Sequence, residues 1–211
     1  MAQRIIIADD HPLFRTALGH AVAKVWPEAE IVEASSAGEA RRAVEQGAEA
    51  LLLDLHMEDS NGLSALMDFR QDFPALPVTI VSASEEPRVF AAASQLGAAA
   101  FIPKSASLED MRDALACVRE GDSWFPENDG ESDDDLSRIA SLTPAQRRIL
   151  GQLNEGLLNK QIAYELDISE ATVKAHITAI FRKLGVVNRT QAVLLAAKLT
   201  VDQEATDPAV N

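Results

Sequence analysis

The sequence predicts two folded parts: an α/β unit on a five-stranded, doubly wound parallel sheet, then a small all-α unit of four helices. Three observations carry this. Short β-rich runs alternate with segments of helical period through roughly the first 120 residues, the strand pattern then vanishes, and the sign of the charge changes along the chain.

The strand candidates are RIIIAD, EIVEA, ALLLDL, PVTIVSA and AAFIPK, each rich in branched apolar residues. Between and after them, helical spacing covers about 12–25, 37–47, 62–72, 86–96 and 107–120. Strand and helix alternating five times imply parallel strands joined by crossover helices. Gly47, Gly97 and Gly121 fall where the second, fourth and fifth helices should stop. PENDGESDDDLS then arrives without periodicity and densely charged, as a solvated linker does. Beyond it, Thr143, Pro144 and Gln146 supply an N-cap, a first-turn proline and a capping-box partner. Asn159 is expected to cap a short second helix with Ile162, Ala163 and Leu166, and Ser169 a third with Val173, Ile177, Ile180, Phe181 and Leu184. Asn188 with Gln191 opens a fourth, Ala192 to Leu199. The expected boundaries are 1–124, an acidic linker 125–140, a helical domain 141–200 and a flexible tail 201–211.

A chain of 211 residues with 47% apolar content suits two modest cores. One cysteine, Cys117, excludes an internal disulfide framework and a cysteine-rich zinc site. No apolar run reaches the roughly 18 residues of a membrane span, so a soluble, cytoplasmic protein with no membrane partner is expected. The net charge of −14 divides into −10 over 1–125, −6 over 126–136, +5 over 137–200 and −3 over the tail. A basic module thus follows an acidic one.

Asp9 and Asp10 close the first strand, Asp54 the third, and Lys104 the fifth. Residues that end parallel strands emerge at one sheet edge, where ligands collect. Three carboxylates and an ammonium there suit a divalent cation beside one reactive aspartate. His11 is read as solvent-facing, since a metal site built on it would lack companions. In the helical part, two short helices around a tight connection at Asp167 and Ile168 read as a helix-turn-helix. On its second helix Lys174, Ala175, Thr178 and Arg182 cluster away from the apolar side, which suits major-groove readout, while Lys160, Lys183 and Arg189 can hold phosphates.

Both halves resemble the NarL/LuxR-type (NarL/FixJ) two-component response regulators, whose receiver domain is flavodoxin-like. The resemblance rests on IIIADDHPLFR, LLLDLHM followed by Gly62, TIVSAS and AAAFIPK, then LTPAQRRIL, EGLLNKQIA and ISEATVKAHITAIFRKLGVVNRTQAV. It covers about residues 3–121 and 141–199. It implies that Asp54 is the phosphoacceptor, served by a sensor histidine kinase. It implies a magnesium ion (Mg2+) on Asp10, Asp54 and a backbone carbonyl near His56, with Asp9 acting through water. It further implies Lys104 and Ser82 as phosphoryl contacts, Phe101 as the switch aromatic, Thr172 among the DNA-facing residues, and a homodimer on DNA through Val193, Leu194 and Ala197. The chain would then be a transcription factor and not an enzyme. Glu58 and Ala100 depart from the family habit of proline and glycine, and Phe101 lacks a tyrosine hydroxyl. An aspartate-nucleophile phosphatase or dehalogenase usually carries a second aspartate where this chain has His56. A receiver that works without phosphorylation would keep the same fold and DNA binding, and a sigma-factor-like module would explain the last domain alone.

Overall fold

The computed structural model describes residues 3–57, 59–60, 62–126 and 134–197, so Glu58 lies outside the described residues. They form two compact units, residues 3–126 and residues 134–197.

The first unit runs β1 (Arg4–Ala8), α1 (Pro12–Val25), β2 (Glu30–Ala34), α2 (Ala37–Glu45), β3 (Ala50–Asp54), α3 (Leu63–Asp72), β4 (Val78–Ser82), α4 (Pro87–Gln95), β5 (Ala100–Pro103) and α5 (Leu108–Glu120). All strands are parallel, in the order β2-β1-β3-β4-β5. The winding reverses between β1 and β3, and the crevice outside the carboxyl ends of strands at such a point is where α/β sheets bind ligands. Every residue of β3 and β4 is buried. With helices on both faces a central strand has no wet side, which explains continuous apolar runs such as ALLL in place of alternation. On one face Ile5, Ile7, Leu52, Val81 and Ile102 pack with Leu18, Ala21 and Val22 of α1 and with Met111, Ala114 and Leu115 of α5. Phe101, next to Ile102, points to the other face, where its ring centroid stands 4.6 Å from that of Phe90 in α4.

Helix α5 shows how local chemistry sets the ends. The Ser107 hydroxyl accepts from the Asp110 N–H at its start, and Gly121, with φ +89°, ends it in the left-handed conformation that a side chain disfavours. The chain then turns back to the sheet, which the sequence did not announce. The Phe101 N–H donates to the Trp124 carbonyl (3.0 Å), the Trp124 N–H donates to the Ala99 carbonyl (3.2 Å), and Trp124 packs against the core.

The second unit holds α6 (Asp134–Ala140), α7 (Pro144–Asn154), α8 (Asn159–Glu165), α9 (Glu170–Leu184) and α10 (Arg189–Ala196). Two expectations need correction. The linker expected over 125–140 is too long, because α6 makes a fifth helix whose Leu136 and Ile139 are buried. An apolar pair one turn apart is enough to seat a short helix, and the acidic residues that disguised it, Asp134 and Asp135, sit in its first turn, where they complement the helix dipole. The rest of the acidic run, residues 127–133, lies outside the described residues. Likewise Asn159 is already helical: the residue before α8 is Leu158, whose N–H donates to the Gln161 side chain (2.7 Å). The other caps form as expected. Thr143 and Gln146 bond reciprocally, Ser169 accepts from the Thr172 N–H, and Asn188 from the Gln191 N–H. Asp167 takes φ +52° between α8 and α9, a conformation aspartate tolerates better than most residues. The core gathers Leu136, Ile139, Ile149, Leu153, Ile162, Val173, Ile180, Leu184 and Ala192. The end expected at Leu199 falls outside the described residues. Among the described residues no helix is long and apolar enough to cross a membrane.

Candidate functional site

Strand ends bring the acidic residues and the lysine together. Asp54 ends β3 and Asp9 follows β1, and both side chains are fully buried. Lys104 follows β5 and places its ammonium between them, with Nζ 2.8 Å from Asp54 Oδ2 and 2.7 Å from Asp9 Oδ2. The ring of Phe14, in the first turn of α1, lies 4.8 Å from the same nitrogen, a cation–π contact. The lysine backbone is held too, since the Lys104 N–H donates to the Ser82 carbonyl (2.7 Å). Asp54 Oδ1 accepts from the His56 N–H (3.1 Å). Arg15 steadies the turn after β1, donating to the Asp9 carbonyl (2.7 Å) and to the Glu33 carboxylate (2.8 Å).

Asp10 is partly exposed, and its Oδ1 lies 2.6 Å from His11 Nδ1. His11 points largely to solvent, but it does not lack companions as expected. Donor atoms of Asp9, Asp10, His11 and Asp54 all lie within 4.8 Å of one another. Ser82, at the end of β4, is buried, and its hydroxyl accepts from the Ser84 N–H (3.2 Å). Phe101 is buried two strand positions before Pro103.

Two buried carboxylates share one ammonium. Burial pushes the Asp54 carboxyl above its usual value, because half a share of Lys104 does not offset the lost solvation. Burial opposes the charge of Lys104 as well, yet two partners, Asp54 and Asp9, outweigh it and hold the lysine above its usual value. Negative charge is therefore left over. Asp9 Oδ2 and Asp10 Oδ1 are also buried oxygens without an aligned hydrogen bond, despite the nitrogens of Lys104 and His11 close by. A divalent cation suits this set of hard oxygen donors.

In the second unit the face of α9 is solvent-exposed at Thr172, Lys174, Ala175, Thr178 and Arg182, and Lys160 of α8 is exposed as well. Lys174 pairs with Glu170 one turn earlier (3.0 Å), and the Thr178 hydroxyl donates to the Lys174 carbonyl (3.0 Å). The structure does not place Lys183 and Arg189 with this face as free cations. Lys183 Nζ donates to the Ser141 carbonyl (2.8 Å) and Gln146 Oε1 (3.0 Å), and the Arg189 guanidinium donates to the carbonyls of Leu153 (3.0 Å) and Leu157 (2.8 Å). Both satisfy backbone groups that helices leave open at their ends. A basic residue at a helix end, as Lys183 is in the last turn of α9 and Arg189 in the first of α10, signals phosphate binding and internal clamping equally, so sequence spacing could not separate them. On α10, Val193 is half-buried, Leu194 is 67% exposed, and Ala197, just past the helix, is exposed.

Residues 5–116 match the family model for the response regulator receiver domain, and residues 140–196 that for bacterial regulatory proteins of the luxR family. The glycerol metabolism activator of Pseudomonas putida is 37% identical over 211 residues, spanning 93% of this chain and 96% of its own. The nitrate/nitrite response regulator protein NarP of Escherichia coli K12 is 31% identical over 206 residues, spanning 91% and 93%. Among solved structures, RcsB from Salmonella enterica serovar Typhimurium, bound to promoter rprA in the presence of phosphomimetic BeF3-, shares the fold with a TM-score of 0.55 at 23% identity, over 94% of this chain and 100% of that one. Two family models in the same order, and relatives matched over nearly their whole length, lead to one conclusion: this chain belongs to the NarL/LuxR-type two-component response regulators, a receiver domain followed by a luxR-type DNA-binding domain.

Proposed function

We propose that Asp54 accepts a phosphoryl group from a sensor histidine kinase, and that this modification controls sequence-specific DNA binding by the α9 face and hence transcription. The observation that carries the reading is the buried Asp54 carboxylate facing Lys104 Nζ at 2.8 Å, with Asp9 on the same ammonium.

An ionised carboxylate oxygen of Asp54 attacks phosphorus while the phosphorus–nitrogen bond of the donor's phosphohistidine breaks, its electron pair staying on the histidine nitrogen. Asp10, Asp54 and the His56 carbonyl would hold a magnesium ion, with Asp9 acting through water, and its positive charge would offset the charge of the transferred oxygens. Lys104 gives up its bond to Asp54 Oδ2 for a phosphoryl oxygen, and the Ser82 hydroxyl turns from the Ser84 N–H to donate to another. Those contacts exist in one state only, so they shift the equilibrium of the receiver. Phe101 then changes its packing against Phe90.

On DNA, Thr172, Lys174, Ala175, Thr178 and Arg182 approach base edges in the major groove, and Lys160 holds a phosphate. Lys183 and Arg189 act chiefly through the cohesion of their own unit. A homodimer pairs through Val193, Leu194 and Ala197, and the protein works in the cytoplasm.

The test is incubation with a small phosphodonor and magnesium, followed by intact-mass measurement and gel-shift titration against genomic fragments selected by the protein. The wild type gains one phosphoryl group and binds more tightly, whereas Asp54→Asn gains none and binds as the untreated protein does. Modification of Asp54 without a change in DNA occupancy would reject the coupling.

A further inference from the structure

We infer that Phe14 is a positioning residue for phosphotransfer: its ring is a fixed cation–π platform that aims the Lys104 ammonium while one of that ammonium's partners is exchanged. The inference rests on the function proposed above for Asp54 and adds a residue behind its lysine.

A lysine ammonium carries three protons on a stem of four rotatable bonds, so contacts on three sides are needed to fix it. Two are carboxylate oxygens, Asp54 Oδ2 at 2.8 Å and Asp9 Oδ2 at 2.7 Å. The third is the Phe14 ring, whose centroid lies 4.8 Å from Nζ. Water supplies little of the remainder, since the Lys104 side chain is only 17% exposed. Low hydration is the condition under which an aromatic face attracts a cation most strongly. The ring has a firm seat. Phe14 lies in the first turn of α1, its N–H donates to the His11 carbonyl (3.1 Å), and it packs against the core that holds Leu18 one turn further on. Its neighbour Arg15 donates to the Asp9 carbonyl (2.7 Å). One helical turn thus braces both the lysine and the carboxylate that stays with it.

Transfer to Asp54 takes away the charge that Oδ2 offers, and Lys104 moves that bond to a phosphoryl oxygen. During the exchange Asp9 and the ring are the partners that persist. The ring therefore contributes more in the transition state than at rest, and only such a difference raises a rate. A phenylalanine that merely filled space would be replaceable by any apolar group of its shape.

The experiment treats the full chain with phosphoramidate and magnesium and follows Asp54 phosphorylation by intact mass. Ring fluorination withdraws charge from the aromatic face at nearly constant shape, so mono-, di- and trifluorophenylalanine are placed at position 14. The rate should fall with each fluorine, by about fivefold at the third. Phe14→Leu should lose as much, and Phe14→Tyr, which keeps the ring, should recover most of the rate. The fluorinated series keeps the packing and decides alone if the leucine chain does not fold. In magnesium-free protein the Cε protons of Lys104, assigned by their loss in Lys104→Met, should resonate upfield of ordinary lysines through the ring current. A rate indifferent to fluorination, folded Phe14→Leu as fast as wild type, or Lys104 protons at the ordinary position each overturns the inference and leaves the Asp54 reading standing. Wild type that takes no phosphoryl group overturns both together.

Discussion

The two units handle charge in opposite ways. In the receiver, Asp9, Asp54 and Lys104 come from three distant strand ends and are packed out of water. In the DNA-binding unit, Lys174 and Arg182 lie two turns apart on one helix and stand in water. A buried, shared charge is tied to the stability of everything around it, whereas an exposed one is free to engage a partner. The receiver can therefore convert a single chemical event into a change of structure. The helix face can be retuned residue by residue without unfolding its support.

The sharpest way to break this contrast is to remove Lys104. Lys104→Met leaves two carboxylates buried without a counter-charge and is expected to destabilise the receiver by about 3–5 kcal/mol in urea unfolding at neutral pH. Adding Asp9→Asn to the same chain should restore part of that loss. A loss within experimental error would mean that water reaches the site and that its charges are no more costly than those of α9.

The next test separates clamp from reader within the DNA-binding unit. Arg189→Ala loses two carbonyl partners and should lower the stability of that unit by about 2 kcal/mol in thermal unfolding. Arg182→Ala should leave unfolding unchanged, weaken DNA binding, and reduce the salt slope of the affinity by about one.

Acidity gives a gentler test. Only the ionised carboxyl of Asp54 attacks phosphorus, and its pKa is raised above the ordinary 3.8 by burial. Phosphorylation by a small donor should therefore fall, as pH drops, earlier than an ordinary carboxylate would dictate. The signs for stability differ between the partners. Asp54 binds its proton more tightly when folded, so its favourable contribution is whole below pH 3.8 and is lost as pH rises through the raised value. Lys104 is also raised, so its contribution is whole below pH 10.5 and is lost as pH climbs through its own raised value. Stability measured in Lys104→Met and Asp54→Asn across pH checks each.

The smallest effect belongs to a cap. Ser169→Ala removes the acceptor for the Thr172 N–H and should cost about 1 kcal/mol in the DNA-binding unit, leaving the receiver untouched.

Much of this architecture was legible because strands and helices advertise themselves locally. ALLLDL shows a buried strand ending on a carboxylate, and Ser169, Thr143 and Asn188 mark helix starts by chemistry confined to four residues. What was not legible depended on partners far away in sequence. The lysine's second partner, Asp9, and the ring of Phe14 beneath it follow from the crossing order of the sheet, which no local pattern encodes. His11 looked isolated for a different reason: its partners, Asp9 and Asp10, are its immediate neighbours, and only the turn after β1 sets its ring beside them. Helix α6 was hidden because three consecutive aspartates read as solvent-loving chain while Leu136 and Ile139 already supplied an anchoring stripe. Lys183 and Arg189 carry the right charge in the right neighbourhood, but the carbonyls that hold them belong to α7 and its flanks.

The return of Trp124 to β5 has a practical consequence. Outer strands expose unpaired amides that recruit other chains into fibrous or amorphous deposits. On the β2 side, Glu30 and Glu33 discourage such recruitment by charge. On the β5 side, the backbone of Trp124 occupies hydrogen-bonding groups of Ala99 and Phe101 and leaves them no vacancy for a stranger. A receiver cut after Glu120 should thus precipitate at concentrations where one cut after Pro126 stays clear, although both retain every strand and helix of the sheet.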